Sequence, residues 1–86
     1  MTHSSLILKI LTPDGTPFEG PVDAVFLPGT QGAFEVLPGH APIISSLDRG
    51  SIDWRVADKL ESLKVRAGAV IVENDTVTVC AQVSAE

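Results

Sequence analysis

The chain has 86 residues, 44% of them hydrophobic, with 11 acidic against 6 basic side chains and a net charge of −5. That length supports one domain burying about 60–65% of its unfolded surface. The acidic balance argues against a nucleic-acid partner and against electrostatic binding to an anionic lipid surface. Cys80 is the single cysteine, so an internal disulfide framework is excluded.

The predicted elements, in chain order, are short and mostly extended. Leu6, Leu8 and Ile10 alternate with Ile7, Lys9 and Leu11, a period of two that predicts a strand. Thr12-Pro13-Asp14-Gly15 then forms a turn, with proline and glycine where a type I turn accepts them. Val22–Leu27 is predicted as the second strand, lying close to the first in one sheet. Ala33–Leu37 and Ile43–Leu47 follow, separated by a Pro-Gly-His-Ala-Pro corner. Ile52, Trp54 and Val56 alternate with Asp53 and Arg55 as in a half-buried strand.

Asp58–Lys64 is compatible with a short helix, but its neighbours favour a strand through Leu63, Val65 and Ala67. Ala69–Glu73 and Thr76–Val83 flank Asn74-Asp75, a tight hairpin turn. The pattern predicts an all-β fold, a small sandwich of two antiparallel sheets with about eight to ten short strands. It predicts one domain over residues 1–86. There is no apolar run of about 20 residues, and the amino terminus is too soon polar for a signal peptide, so a cytoplasmic protein is expected.

Candidate chemistry is sparse. His40 lies in the corner, and a side chain that bonds backbone and shapes the turn is favoured over a ligand or base. His3 is the other histidine. No spacing of His, Cys and Asp predicts a metal cage, so no metal and no cofactor are expected. His40, Ser45 and Asp48 contain the letters of a triad, but in no recognisable order. The PGTQG loop lacks the Lys-Ser/Thr ending of a phosphate loop and precedes a strand. Nucleotide binding is therefore not expected, and neither is catalysis. Trp54 is expected in the core. Arg49, Arg55, Lys59, Lys64 and Arg66, with Asp48, Asp53 and Glu61, read as solvated strand-edge charges.

Leu27-Pro28-Gly29, Gly32, Val36-Leu37-Pro38-Gly39-His40-Ala41-Pro42, Leu47 and Gly50 form a spaced pattern of turns and apolar anchors. This pattern resembles the epsilon subunit of F-type ATP synthases, the β-sandwich subunit of the central rotor stalk. The LKILTPDGTPFEGPVDAVFLPG stretch is similar to that family's opening hairpin, so the likeness covers residues 6 to 83.

The resemblance implies a non-catalytic subunit that joins the gamma subunit to the c-ring at the cytoplasmic face of the membrane, without inserting into lipid. It implies a c-ring-facing loop of Pro28, Gly29, Thr30, Gln31, Gly32, Ala33, Phe34 and Glu35. The family often has an acidic residue where this chain has Ala33, so Glu35 or Gln31 is the candidate polar contact. It implies a gamma-facing set of Thr12, Ala41, Pro42, Ile44, Ser45 and Ser46. Ile43 and Ile44 are adjacent and must point to opposite faces of a strand, so one of them is core and the other candidate interface, unless both are enclosed between sheets. Pro38, Gly39 and His40 are the structural corner. Many family members continue into a helical hairpin that can restrain ATP hydrolysis. No such segment follows Val83 here, so inhibition by an extended arm is not expected. The competing reading is a free-standing β-sandwich that binds protein or sugar.

Overall fold

A computed structural model describes residues 5–84. His3 and the last two residues, Ala85 and Glu86, fall outside the described residues. Eight strands run in chain order. They are β1 (Leu6–Thr12), β2 (Gly15–Val22), β3 (Ala24–Leu27), β4 (Phe34–Val36), β5 (Ile43–Leu47), β6 (Gly50–Val56), β7 (Lys59–Glu73) and β8 (Thr76–Val83). The all-β expectation holds, and the strand number is the lower end of the expected range.

The two layers are one continuous sheet rather than two separate ones. Its path runs β2-β1-β8-β7-β6-β3-β4, with β5 also paired to β7. The segment that was ambiguous between helix and strand opens β7, which is 15 residues long. Its first half, Lys59–Val65, pairs with β6, and its second half, Gly68–Val72, pairs with β5. β8 takes the opposite edge. The register slips between Val65 and Ala67. Such a bulge bends a strand and sharpens its twist. Asp48 and Arg49 interrupt the other edge between β5 and β6 at the same level. Not all pairings are antiparallel: β1 runs parallel to β8, Ile7 opposite Thr76 through Leu11 opposite Cys80.

The opening hairpin corrects two expectations. Val22–Leu27 is not one strand, and the first two predicted strands are not sheet neighbours. Gly15–Val22 pairs with β1, Leu6 opposite Val22 and Ile10 opposite Phe18. The chain then crosses to the other layer at Asp23. Its N–H donates to the Arg55 carbonyl at 2.8 Å, and its carboxylate accepts the Ala57 N–H at 2.8 Å. Pro17, Gly20 and Pro21 read locally as turn residues. β2 is the terminal strand of the sheet path, where a missing N–H can face solvent without loss. Thr12 and Gly15 close the predicted turn, with the Thr12 hydroxyl donating to the Gly15 carbonyl at 3.1 Å.

The alternation seen in the sequence is the core. Leu6, Leu8 and Ile10 of β1 and Val77, Val79 and Ala81 of β8 face Val25, Leu27, Ile52 and Trp54 from the other layer in one buried cluster. Val83 and Val56, expected to continue their strands' apolar faces, are instead exposed at the strand ends. Trp54 is in the core as expected, its ring 4.9 Å from that of Phe18. This contact brings β2 over β6. The Trp54 indole N–H is buried and finds no acceptor among the described residues.

Two substitutions test this account. Ala57 holds φ +56° in the β6–β7 turn. Ala57→Gly should raise stability by about 0.5–1 kcal/mol, because left-handed strain exceeds the added chain entropy. A lower urea midpoint would refute this. Trp54→Phe should change stability by less than about 1.5 kcal/mol, since the lost ring is offset by removal of an orphan donor, against about 3–5 for Trp54→Ala. Equal losses in denaturant titration would show that the indole N–H carries no penalty.

Candidate docking surfaces

At one end of the sandwich β3 runs into the Pro28–Glu35 loop. Pro28 is half-buried and Gly29 buried, while Thr30, Gln31, Gly32 and Ala33 are exposed. The Gly32 N–H closes a turn on the Gly29 carbonyl at 3.0 Å. The loop is stitched to the end of β5. The Asp48 N–H donates to the Pro28 carbonyl at 2.8 Å, and the Thr30 N–H to the Ser46 carbonyl at 3.0 Å. The Thr30 and Ser46 hydroxyls lie 2.7 Å apart. Phe34 turns inward against the core, whereas Glu35 is exposed. Gln31 and Glu35 therefore both present polar groups at this end. A depression of about 480 Å³ opens between Phe26, Pro28, Glu35 and Asp53.

The Pro38-Gly39-His40 corner is held by backbone bonds. Gly39 has φ +87°, a conformation that side chains with a Cβ rarely adopt. Its N–H donates to the Asp75 carboxylate at 2.7 Å. Asp75 belongs to the β7–β8 turn, where it and Asn74 both have positive φ, as a two-residue hairpin requires. The corner is thus pinned to a hairpin that lies far from it in sequence. The His40 N–H reaches the Leu37 carbonyl at 3.1 Å, and Nδ1–H donates to the Ala41 carbonyl at 2.7 Å. Ser45 Oγ donates to the Ser46 carbonyl at 2.9 Å, so His40, Ser45 and Asp48 form no hydrogen-bonded triad among the described residues. Among those residues, no three His, Cys, Asp or Glu side chains converge as metal ligands.

β5 settles the question of the adjacent isoleucines. Ile43 packs against the core, and Ile44 is 78% exposed. Ile44 sits opposite Ile71 of β7, itself 44% exposed. The row continues through Thr78 to Lys9. The next row runs Ser46, Ala69, Cys80 and Leu11. The outer face of β5, β7, β8 and β1 is therefore largely apolar and uncharged at its centre, with Lys9 and Glu73 toward its margins.

Thr12 lies at the far side of this face, beyond two intervening strands, or about 14 Å from β5 at normal strand spacing. A shallow groove of about 530 Å³ runs there, floored by Ala69 and Cys80 and walled by Leu11 and Pro13. The sequence reading named both borders of the face and missed its centre. Ile71 and Cys80 belong to outward-facing positions of strands whose inward faces are already full, a signal present in the alternation.

Ala41 and Pro42 are exposed at the start of β5, and Ser45 is half-buried. The two candidate surfaces thus share the Thr30–Ser46 contact, which joins the loop end to the apolar face.

Comparisons with known proteins agree along nearly the whole chain. Residues 5–86 match the family model for the ATP synthase delta/epsilon chain β-sandwich domain. An ATP synthase epsilon chain of Wolinella succinogenes is 44% identical over 77 residues, covering 88% of this chain and 59% of the relative. One from Synechococcus elongatus is 40% identical over 75 residues, 87% of this chain and 55% of the relative. One from Leptospira borgpetersenii is 32% identical over 79 residues, 92% and 62%. The chain thus spans a little over half the length of the curated relatives it matches.

A chain in the Euglena gracilis mitochondrial ATP synthase structure has the same fold, with TM-score 0.86 at 20% identity, covering 94% of this chain and 52% of that one. One in the Tetrahymena thermophila central stalk and c-ring structure gives 0.77 at 11%, covering 95% and 66%. With its strand order, its Pro-Gly corner and this match over residues 5–86, the chain belongs to the delta/epsilon-chain β-sandwich family of ATP synthases.

Proposed function

We propose that this domain is the rotor-stalk element of a proton-translocating F-type ATP synthase, tying the gamma subunit to the c-ring so that ring rotation drives ATP synthesis. The observation that carries the reading is the family match over residues 5–86. In this reading the protein is a peripheral, non-catalytic part of the complex at the cytoplasmic face of the membrane. The Pro28–Glu35 loop meets the c-ring, with Gln31 and Glu35 as polar contacts because position 33 is alanine. The apolar face containing Ile44 meets gamma.

Physical considerations support this division. A partner that must stay bound under torque needs an interface with an apolar, well-packed centre, and the Ile44–Ile71 pair offers one. The c-ring end is a small polar loop, held to β5 by the Thr30–Ser46 bonds. Force entering at that loop passes directly into the strand that carries Ile44. A close-packed sandwich transmits it because its interior has low compressibility.

Co-purification of variants with gamma and the c-ring, beside their melting temperatures, tests both surfaces. Ile44→Asp should leave the melting temperature nearly unchanged and lose gamma. Glu35→Lys should retain gamma and weaken c-ring attachment. Gly39→Val should cost about 1–3 kcal/mol through backbone strain and loosen gamma by shifting the corner. His40→Ala should cost about 1 kcal/mol, for one backbone hydrogen bond, and assemble normally. Full gamma retention by Ile44→Asp would exclude the proposed face. Assembly lost in His40→Ala at an unchanged melting temperature would give that histidine a direct role.

A further inference from the structure

β5 has an unfinished edge. One side pairs with β7 from Ile43 opposite Val72 to Leu47 opposite Gly68. On the other side the chain itself supplies only a stub: Gly29 bridges Leu47, flanked by the Thr30 N–H to Ser46 and the Asp48 N–H to Pro28. These two bonds fix the orientation of the strand. Ser46 and Asp48 turn their backbone groups toward the stub, so by strand alternation Ile44 turns its N–H and C=O the same way. The stub ends at Thr30, where the Gly32-to-Gly29 turn carries the chain off. Nothing in the described residues continues past it to cover Ile44.

Edges of this kind are normally blunted by lysine, proline within the strand, or a bulge. β5 reads Ile-Ile-Ser-Ser-Leu, with no charge and no proline. The side chain on the uncovered residue is Ile44, at 78% exposure, with Ile71 beside it on the same face. A backbone donor, a backbone acceptor and an apolar anchor therefore coincide at one position. Pro42 and Thr30 mark the two ends of the open stretch, which limits the addition to a short segment.

We propose that the β5 edge accepts a short extended strand from the gamma subunit, running antiparallel to β5 in line with the Pro28–Thr30 stub. The strand exchanges backbone hydrogen bonds with Ile44 and lays an uncharged apolar side chain over Ile44 and Ile71. Uncharged chemistry follows from the edge itself, which offers no carboxylate or ammonium to pair with. The inference rests on the gamma-facing reading above and specifies its mode: strand addition, where backbone bonds supply affinity and the side-chain pocket supplies selectivity.

The test is hydrogen exchange of the Ile44 amide by NMR in the 86-residue chain, alone and with purified gamma subunit. Alone, this amide should exchange much faster than those of Ile43 and Ser45, which face β7. With gamma bound it should slow by at least about 10-fold, the effect of one added hydrogen bond. Ile44→Pro removes the outward N–H together with the isoleucine side chain and should weaken gamma binding by at least about 10-fold. Ile44→Leu should bind nearly as well as the parent. Gamma binding with unchanged Ile44 exchange overturns strand addition while leaving the gamma reading intact. No binding in pull-down or calorimetry overturns both. Protection of Ile44 that rises with the concentration of the chain alone would assign the edge to a second copy and also overturn the proposal.

Discussion

β7 is paired along both edges, and the rest of the domain hangs on that pairing. Its first half holds β6, its second half holds β5, and β8 lines the opposite edge. Because one backbone runs through both layers, neither layer can slide without breaking β7 or its ladder. The bend falls at the register slip between Val65 and Ala67. Beside it, Gly68 approaches β8 so closely that a Cβ there would lie 2.6 Å from the Cys80 carbonyl oxygen. The sequence Arg-Ala-Gly-Ala at this bend leaves room for the backbones to meet. Closure then follows from burial, since Val65 and Val70, on either side of the bend, both enter the same core.

The polar anchors secure what the core leaves loose. Asp23 ties the crossing between layers to the β6–β7 turn through Ala57, and Asp75 ties the Pro-Gly corner to the β7–β8 turn. In each case a carboxylate accepts a backbone N–H from a segment more than thirty residues away. Charge-assisted bonds of this type are shorter and stronger than neutral ones. They fix the corner and the turn as a unit, which gives the exposed β5 a defined position although its own partner set is incomplete.

That incompleteness bears on function. A small sandwich usually hides its apolar rows and protects its edges. Here an apolar outer face, an uncharged edge strand and a loop bonded to that strand occur together. The three meet at the Thr30–Ser46 contact, where the loop end joins the apolar face.

Much of this was legible in the chain itself. Leu6, Leu8 and Ile10, or Val77, Val79 and Ala81, declare their burial by alternation, because a strand's side chains must take opposite faces. Asn74-Asp75 and Pro38-Gly39 declare turns, because few residues tolerate the backbone angles found there. The family pattern includes the Pro38-Gly39 turn, and so identified the fold. Local pattern could not show that Gly15–Val22 is a strand, since its prolines are harmless only at an edge, and edges exist only in the assembled sheet. Nor could it choose between Ile43 and Ile44, which are chemically identical; the register of β5 against β7 made one core and the other surface. The meeting of the loop with β5, and the single sheet folded over on β7, are likewise decided by tertiary pairing. Residues distant in sequence acquire a common face or a shared hydrogen bond only when strands fix their register.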